Sequence, residues 1–334
     1  MQMKTLLKNE KSFLTRTAVI MLVLCLIPAV LRGEFFTSTL CLAVIWSIMG
    51  IGWNILGGYA GQVSNGHAMF YAVGAYISAL MLKWWHITPW LSMFVAAAVC
   101  AVLAFILGYP LLRLRGHYFA ISTMAIVECV RIIFTNWNLI GGATGVSYFE
   151  KSMSPWYTLQ FTNRVPYYYI LLVFLLIFVC ISRVIERTKF GYYLRAIKAN
   201  QDSAESAGVN STVYKRRAYM ISAAIVGIAG ALYAQYIQYI DPLSLLPLSN
   251  SMLIVLVVVM GGIGTIWGPV LGAFIMTFIN QYARALFNQM SGLNMFIYGV
   301  LVVVIVLFLP KGLVSLIPNK KGKASAKKTA KEEK

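Results

Sequence analysis

Apolar runs of membrane-spanning length recur in this chain from Thr17 to Leu309. A helix needs about 20 apolar residues to cross a bilayer, with roughly 17 as the usual lower limit. Ten stretches meet or approach that length: 17–31, 36–56, 67–82, 90–112, 116–136, 167–182, 218–240, 251–266, 269–288 and 293–309. The first and sixth are short, and merging or demoting two doubtful stretches gives eight. Composition agrees with this reading, because 60% of residues are hydrophobic and 11% are charged, against about 25% charged in soluble domains. The expectation is an all-α polytopic membrane protein of about ten transmembrane helices. One membrane domain covers 17–310, between a cytoplasmic N-terminus (1–16) and a basic, disordered cytoplasmic tail (311–334).

The formal net charge is +18, which in a soluble chain would suggest nucleic acid. The positions argue otherwise. Residues 1–16 carry four Lys/Arg, 183–217 carry eight and 311–334 carry eight, all outside the apolar runs. Basic loops stay in the cytoplasm. Both termini, Arg113, Arg115 and the 183–217 block are therefore expected inside, and 138–166 outside, as an irregular loop rich in glycine and proline. Lys4, Lys8, Lys11 and Arg16 precede the first run without a clear cleavage site, as in an uncleaved signal anchor. The five cysteines lie in apolar segments and form no C-x-x-C pair, and His67, His86 and His117 have no zinc spacing. These residues read as packing groups, with no metal site.

Two glycine-rich segments interrupt the runs: Gly57 to His67, and Gly261 to Pro269. A broken helix frees backbone polar groups, tolerated at membrane depth only where protein or water satisfies them. The first break offers Gly58, Gly61, Gln62, Ser64, Asn65 and His67. These either line a polar translocation path or hold helices close together; the residues leave both readings open. The second break is less polar and reads as packing. Each is followed by a Gly-Ala-aromatic-Ile run, at 74–77 and 272–275, an echo of the internal repeats of transporters. Glu128 and Arg131 lie in an apolar run at i, i+3 spacing and can form an intramembrane pair. Its place near the outer end favours a structural role over a proton relay or substrate contact.

The 183–217 block contains good helix formers. Leu194, Ile197 and Ala204 form part of an apolar stripe, while Arg195, Lys198, Asp202 and Glu205 are polar. A short amphipathic cytoplasmic helix is expected from about Gly191 to Ala207, ended by a left-handed Gly208. It either lies on the membrane surface or docks a soluble partner. No G-x-x-x-x-G-K-[ST] occurs, so ATP hydrolysis by this chain is not expected. No catalytic constellation stands out. A gradient-driven secondary transporter would also use glycine breaks and Glu128, but would leave the cytoplasmic helix without a role.

Four ordered segments resemble LivM-type permeases, the membrane subunits of bacterial branched-chain amino-acid ABC importers. They are Gly57 to Ser64 with Gly66 to Phe70; Arg113 to Thr123 followed by Gly141 to Gly145; Phe190-Gly191 with Arg195 to Lys198 and Ala204 to Val209; and Gly261 to Pro269 with Leu271 to Ala273. The resemblance covers about residues 40–315. Asn65 and Met69 depart from the family's usual apolar and small residues, and Ala199 and Gln201 from positions that are often acidic. The resemblance implies a non-catalytic permease subunit in the bacterial inner or plasma membrane that carries branched-chain or other hydrophobic amino acids. Related permeases carry urea or other small amides. It implies two ATPase subunits that bind Mg-ATP, a homologous permease partner, and a periplasmic or lipid-anchored binding protein, with no cofactor on this chain. Coupling to the ATPases would fall to Gly191, Arg195, Ala204, Glu205 and Gly208.

Overall fold

The computed structural model describes residues 2–30, 33–114, 116–148 and 154–286, with 299, 312 and 313 besides. Helices follow the apolar runs closely. In chain order they are α1 (Gln2–Val30), α2 (Glu34–Asn54), α3 (His67–Trp85), α4 (Pro89–Leu111), α5 (His117–Asn136), α6 (Pro155–Thr158), α7 (Arg164–Arg187), α8 (Lys189–Ala199), α9 (Gln201–Ser206), α10 (Ser211–Ile237), α11 (Pro242–Leu245), α12 (Leu248–Gly261) and α13 (Gly268–Leu286). Two short strands, β1 (Val146–Ser147) and β2 (Tyr239–Ile240), pair antiparallel.

Nine of the ten expected spans coincide with helices, and the tenth, 293–309, lies outside the described residues apart from position 299. Among the described residues, six helical stretches are long and apolar enough to cross a membrane by length and composition. The chain is therefore an all-α polytopic membrane protein, but ten crossings do not follow from these helices. α3 shows why. It is buried along nearly all its length, so its surface meets protein and tolerates His67, Tyr71, Tyr76 and Ser78. α1 runs back over the basic segment that the sequence reading set apart as a terminus.

α10 is the central strut, packed most extensively on α4 and α3, while α2 packs on α13, α10 and α7. Small residues permit the closest crossing. A Cβ on Gly74 would lie 2.1 Å from the Gly227 carbonyl oxygen, and one on Gly230 2.0 Å from that of Tyr71. Lipid supplies no hydrophobic drive between helices, so such backbone contact is what holds them. The described part of 138–166 is more regular than the sequence suggests. It holds two 3-10 turns, Asn138–Ile140 and Gly142–Thr144, before β1. The Val146↔Ile240 register ties it to the end of α10. At the same end, Thr88 Oγ1 donates to the Tyr157 carbonyl (2.7 Å) and Trp90 Nε1 to that of Trp156 (3.0 Å). Both glycine breaks and the α8–α9 pair lie at the opposite end, a length of α3 away.

Candidate coupling junction

α2 does not stop cleanly. It widens into a π turn over Ile55–Tyr59, and the chain then runs without helix until His67 opens α3. Gln62 N donates to the Leu56 carbonyl (3.2 Å) across the break. Side chains satisfy much of the rest. Trp53 Nε1 donates to the Ser64 carbonyl (2.7 Å), Gly66 N to Ser64 Oγ (3.2 Å) and Ala68 N to Ser251 Oγ on α12 (3.1 Å). The His67 ring bridges Ser64 Oγ (3.1 Å) and Ser222 Oγ on α10 (2.7 Å). It also sits edge-on to Phe70 and Tyr219, with centroids 5.9 and 6.1 Å away.

This sorts the six expected pathway residues. Ser64 and His67 are fully buried and hold the break to α10. Gly58 is buried in the π turn, whereas Gly61 is exposed and Gln62 and Asn65 are half-buried. Of the six, the ones on the open edge of the break are therefore Gly61, Gln62 and Asn65, with Val63 exposed between them.

The second break packs directly on the first. Asn54, one residue before the π turn, spans them: Gly264 N donates to its Oδ1 (2.8 Å), and its Nδ2 donates to the Thr265 carbonyl (2.9 Å). A Cβ on Gly58 would lie 1.9 Å from Asn54 Oδ1 and 2.9 Å from Gly264 N, so only glycine allows this contact. Gly264 has φ 77°, a left-handed conformation that glycine adopts without a Cβ penalty.

α8 reaches the same point. Lys198 Nζ donates to the Gly58 carbonyl (2.8 Å), and a Cβ on Gly61 would meet Lys198 Cγ at 2.9 Å. From the other side, Asn65 N donates to Thr123 Oγ1 on α5 (3.0 Å). Parts of all four sequence motifs, spread over more than two hundred positions, thus meet around one break, the second motif through Thr123, while its Gly141 to Gly145 part packs on Ile240 and Asp241 at the opposite end.

The expected single cytoplasmic helix is two. α8 ends at Asn200, whose extended backbone (φ −159°, ψ 114°) breaks the helix. Its side chain restarts it by accepting from Ser203 N (3.0 Å), an N-cap that stabilises the first turn of α9. Gly208, at φ 85°, closes α9. Val209 N donates to the Ala204 carbonyl (3.0 Å) and Gly208 N to that of Glu205 (2.9 Å), the two bonds of a Schellman cap.

The five expected coupling residues brace this hairpin. A Cβ on Gly191 would lie 2.1 Å from the Ile185 carbonyl oxygen, so glycine lets α8 fold back tightly on α7. Arg195 Nη2 donates to the Glu186 carbonyl (2.6 Å). Ala204 is buried. Glu205 Oε1 accepts from Gln201 Nε2 (2.9 Å) and from the Ser211 hydroxyl, while buried Lys215 donates to Gln201 Oε1 (2.6 Å). Leu194 and Ile197 are buried as well. The hairpin's apolar stripe is therefore spent on its own bundle, and its outward face is polar.

Glu128 and Arg131 do pair: Arg131 Nε donates to Glu128 Oε2 (3.0 Å), and Nη2 to Oε1. They lie on an exposed face of α5, beside Tyr118, Ile121 and Ile132. Sequence reasoning did not single out Asn54, Thr123, Ser222 or Ser251. A polar residue inside an apolar run is itself a signal, and Asn54, four residues before Gly58, carried it.

Fold and junction together define a polytopic helical membrane protein whose broken helices are braced by a short hairpin with a polar outward face. The sequence profile of the family described as "Branched-chain amino acid transport system / permease component" matches residues 35–306. The chain belongs to that family. It is 31% identical over 309 residues to the "High-affinity branched-chain amino acid transport system permease protein LivM" of Salmonella typhimurium, covering 85% of this chain and 71% of the relative. The same values hold for the protein of that name from Escherichia coli. It is also 23% identical over 244 residues to the "Probable branched-chain amino acid transport permease protein LivH" of Methanocaldococcus jannaschii, covering 70% of this chain and 76% of the relative. No solved structure matches the chain.

Proposed function

We propose that the chain is the permease subunit of an ABC importer for branched-chain or other hydrophobic amino acids, driven by Mg-ATP hydrolysis in two separate ATPase subunits. The observation that carries this reading is the convergence on the first glycine break of Thr123, Lys198 and the Gly264–Thr265 turn, one contact from each of the other three motifs. A hairpin whose apolar side is covered by its own bundle has little left to offer a lipid surface. Its exposed polar face, from Tyr192 and Arg195 to Asp202 and Gly208, suits a soluble protein. The open residues Gly61, Gln62 and Asn65 border the pathway at the end where the ATPases bind.

The concentration of Lys and Arg in 1–16, 183–217 and 311–334 supports a reading with both termini and α8–α9 in the cytoplasm of a bacterial cell, and with 1–16, 17–310 and 311–334 as terminus, permease domain and basic tail. A charge pair facing hydrocarbon is costly, so the α5 face holding Glu128 and Arg131 is assigned to the homologous permease partner. Likeness to relatives named LivM and LivH supports a partner of the same family. A binding protein delivers substrate on the opposite side.

The test is a cross-link. With the exposed Cys25, Cys129 and Cys180 replaced, a cysteine at Asp202 in the full complex should cross-link to an ATPase subunit. Failure to do so, together with uptake that continues when the ATPase subunits are absent, would overturn the assignment.

A further inference from the structure

On the hairpin, the Lys198 side chain bonds directly to the first glycine break. Its acceptor is a carbonyl at the end of the π turn, where a helix leaves its last carbonyls unpaired. The negative end of the α2 dipole lies there too and favours a cation. Three glycines shape the seat. Gly61 passes the lysine stem, with a Cβ there only 2.9 Å from Lys198 Cγ. Gly58 supplies the carbonyl. A Cβ on Gly264 would lie 3.2 Å from that carbonyl oxygen and 3.7 Å from the ammonium. The bond therefore touches hairpin, first break and second break at once. Asn54 hydrogen-bonds the second break to the end of α2, beside the first.

We propose that Lys198 is the positioning residue that latches the α8–α9 hairpin to both glycine breaks, so that displacement of the hairpin opens or closes the edge at Gln62. This rests on the transport reading above. Leu194 and Ile197 bury the hairpin against the bundle but are apolar and non-directional. The Lys198 bond is directional and ends on the break itself, so it fixes where the π turn lies for a given hairpin position. Its loss would leave the hairpin seated and the break free.

The experiment uses the full transporter in proteoliposomes, with Lys198→Met, Lys198→Gln and Lys198→Arg. Lys189→Met, at an exposed position at the start of α8, serves as control. Two quantities are read: substrate taken up per ATP hydrolysed, and reactivity of a Gln62→Cys thiol with and without ATP. A charge-assisted bond sets the scale at roughly tenfold. Met and Gln should keep ATP hydrolysis, lower uptake per ATP by about that factor, and abolish the nucleotide dependence of thiol labelling. Arg and the Lys189 control should stay near wild type. If Met does not assemble, Gln is read against Arg in the same way. Wild-type uptake per ATP and nucleotide-dependent labelling in the Met or Gln variant would overturn the latch while leaving the transport assignment intact. ATP-independent uptake by the wild type would instead overturn that assignment.

Discussion

His67 offers the sharpest separation between a residue that lines a path and one that holds the break together. Its ring is fully buried, bonds Ser64 and Ser222, and completes an edge-on cluster with Phe70 and Tyr219. His67→Ala removes the ring and leaves a hole. Removing a buried aromatic side chain typically costs about 3–5 kcal/mol. Interhelical hydrogen bonds within membranes average only about 0.6 kcal/mol. Both hydroxyls can also rotate toward other acceptors. Packing should therefore outweigh hydrogen bonding. His67→Phe keeps most of the volume and the aromatic contacts, and should cost about 1–2 kcal/mol. The assay is equilibrium unfolding of the purified complex in mixed micelles, followed by tryptophan fluorescence. Trp53 reports locally, since it donates to the Ser64 carbonyl. The predicted order is wild type, then Phe, then Ala, with the larger step from Phe to Ala. If Phe were as damaging as Ala, the packing argument would fail. Wild-type stability of His67→Ala with loss of transport would restore His67 to the pathway.

Asn54→Ala frees Gly264 N and the Thr265 carbonyl at about 2 kcal/mol for the unpaired groups, and should raise amide exchange over 262–266 while α3 stays protected; unchanged exchange would show that the breaks are not bridged. Gly230→Ala drives a Cβ to 2.0 Å from the Tyr71 carbonyl oxygen, and should lower stability by about 1–3 kcal/mol through separation of α3 from α10. A thermal midpoint equal to wild type would count against that crossing. Gly208→Ala should cost about 1 kcal/mol, because alanine resists φ 85°, and should loosen α9 without unfolding α8; a loss of protection in α8 would mean that the two helices melt as one.

What could be read from the sequence follows the physics of each element. Long apolar runs located most helices, because length and hydropathy are local properties, but α1 and α10 begin well before the runs that marked them, at Gln2 and Ser211. The stripe Leu194, Ile197 and Ala204 was visible at helical spacing and is indeed buried, as was the glycine stop at 208. The break at Asn200 was hidden, since asparagine is tolerated inside a helix and only its extended backbone and Ser203 bond reveal an N-cap. β1 and β2 are two residues each and pair across more than ninety positions, which no local pattern encodes. Lys198 was grouped with the polar face of its helix. Its role depends on Gly58 being near, a contact 140 positions away. Ser64 and His67 were equally compatible with lining and packing, and both side chains are buried here, a feature no local pattern in the sequence shows.

The central claim is that ATP hydrolysed by partner subunits moves substrate through this chain. Its most direct test is uptake of radiolabelled leucine into proteoliposomes holding the complete transporter and its binding protein, with ATP supplied on the α8–α9 side. The account predicts uptake that requires ATP, stops when the ATPase subunits are catalytically inactivated, and is unaffected by collapse of ion gradients. Uptake that persists without ATP and disappears when a proton or sodium gradient is dissipated would contradict it.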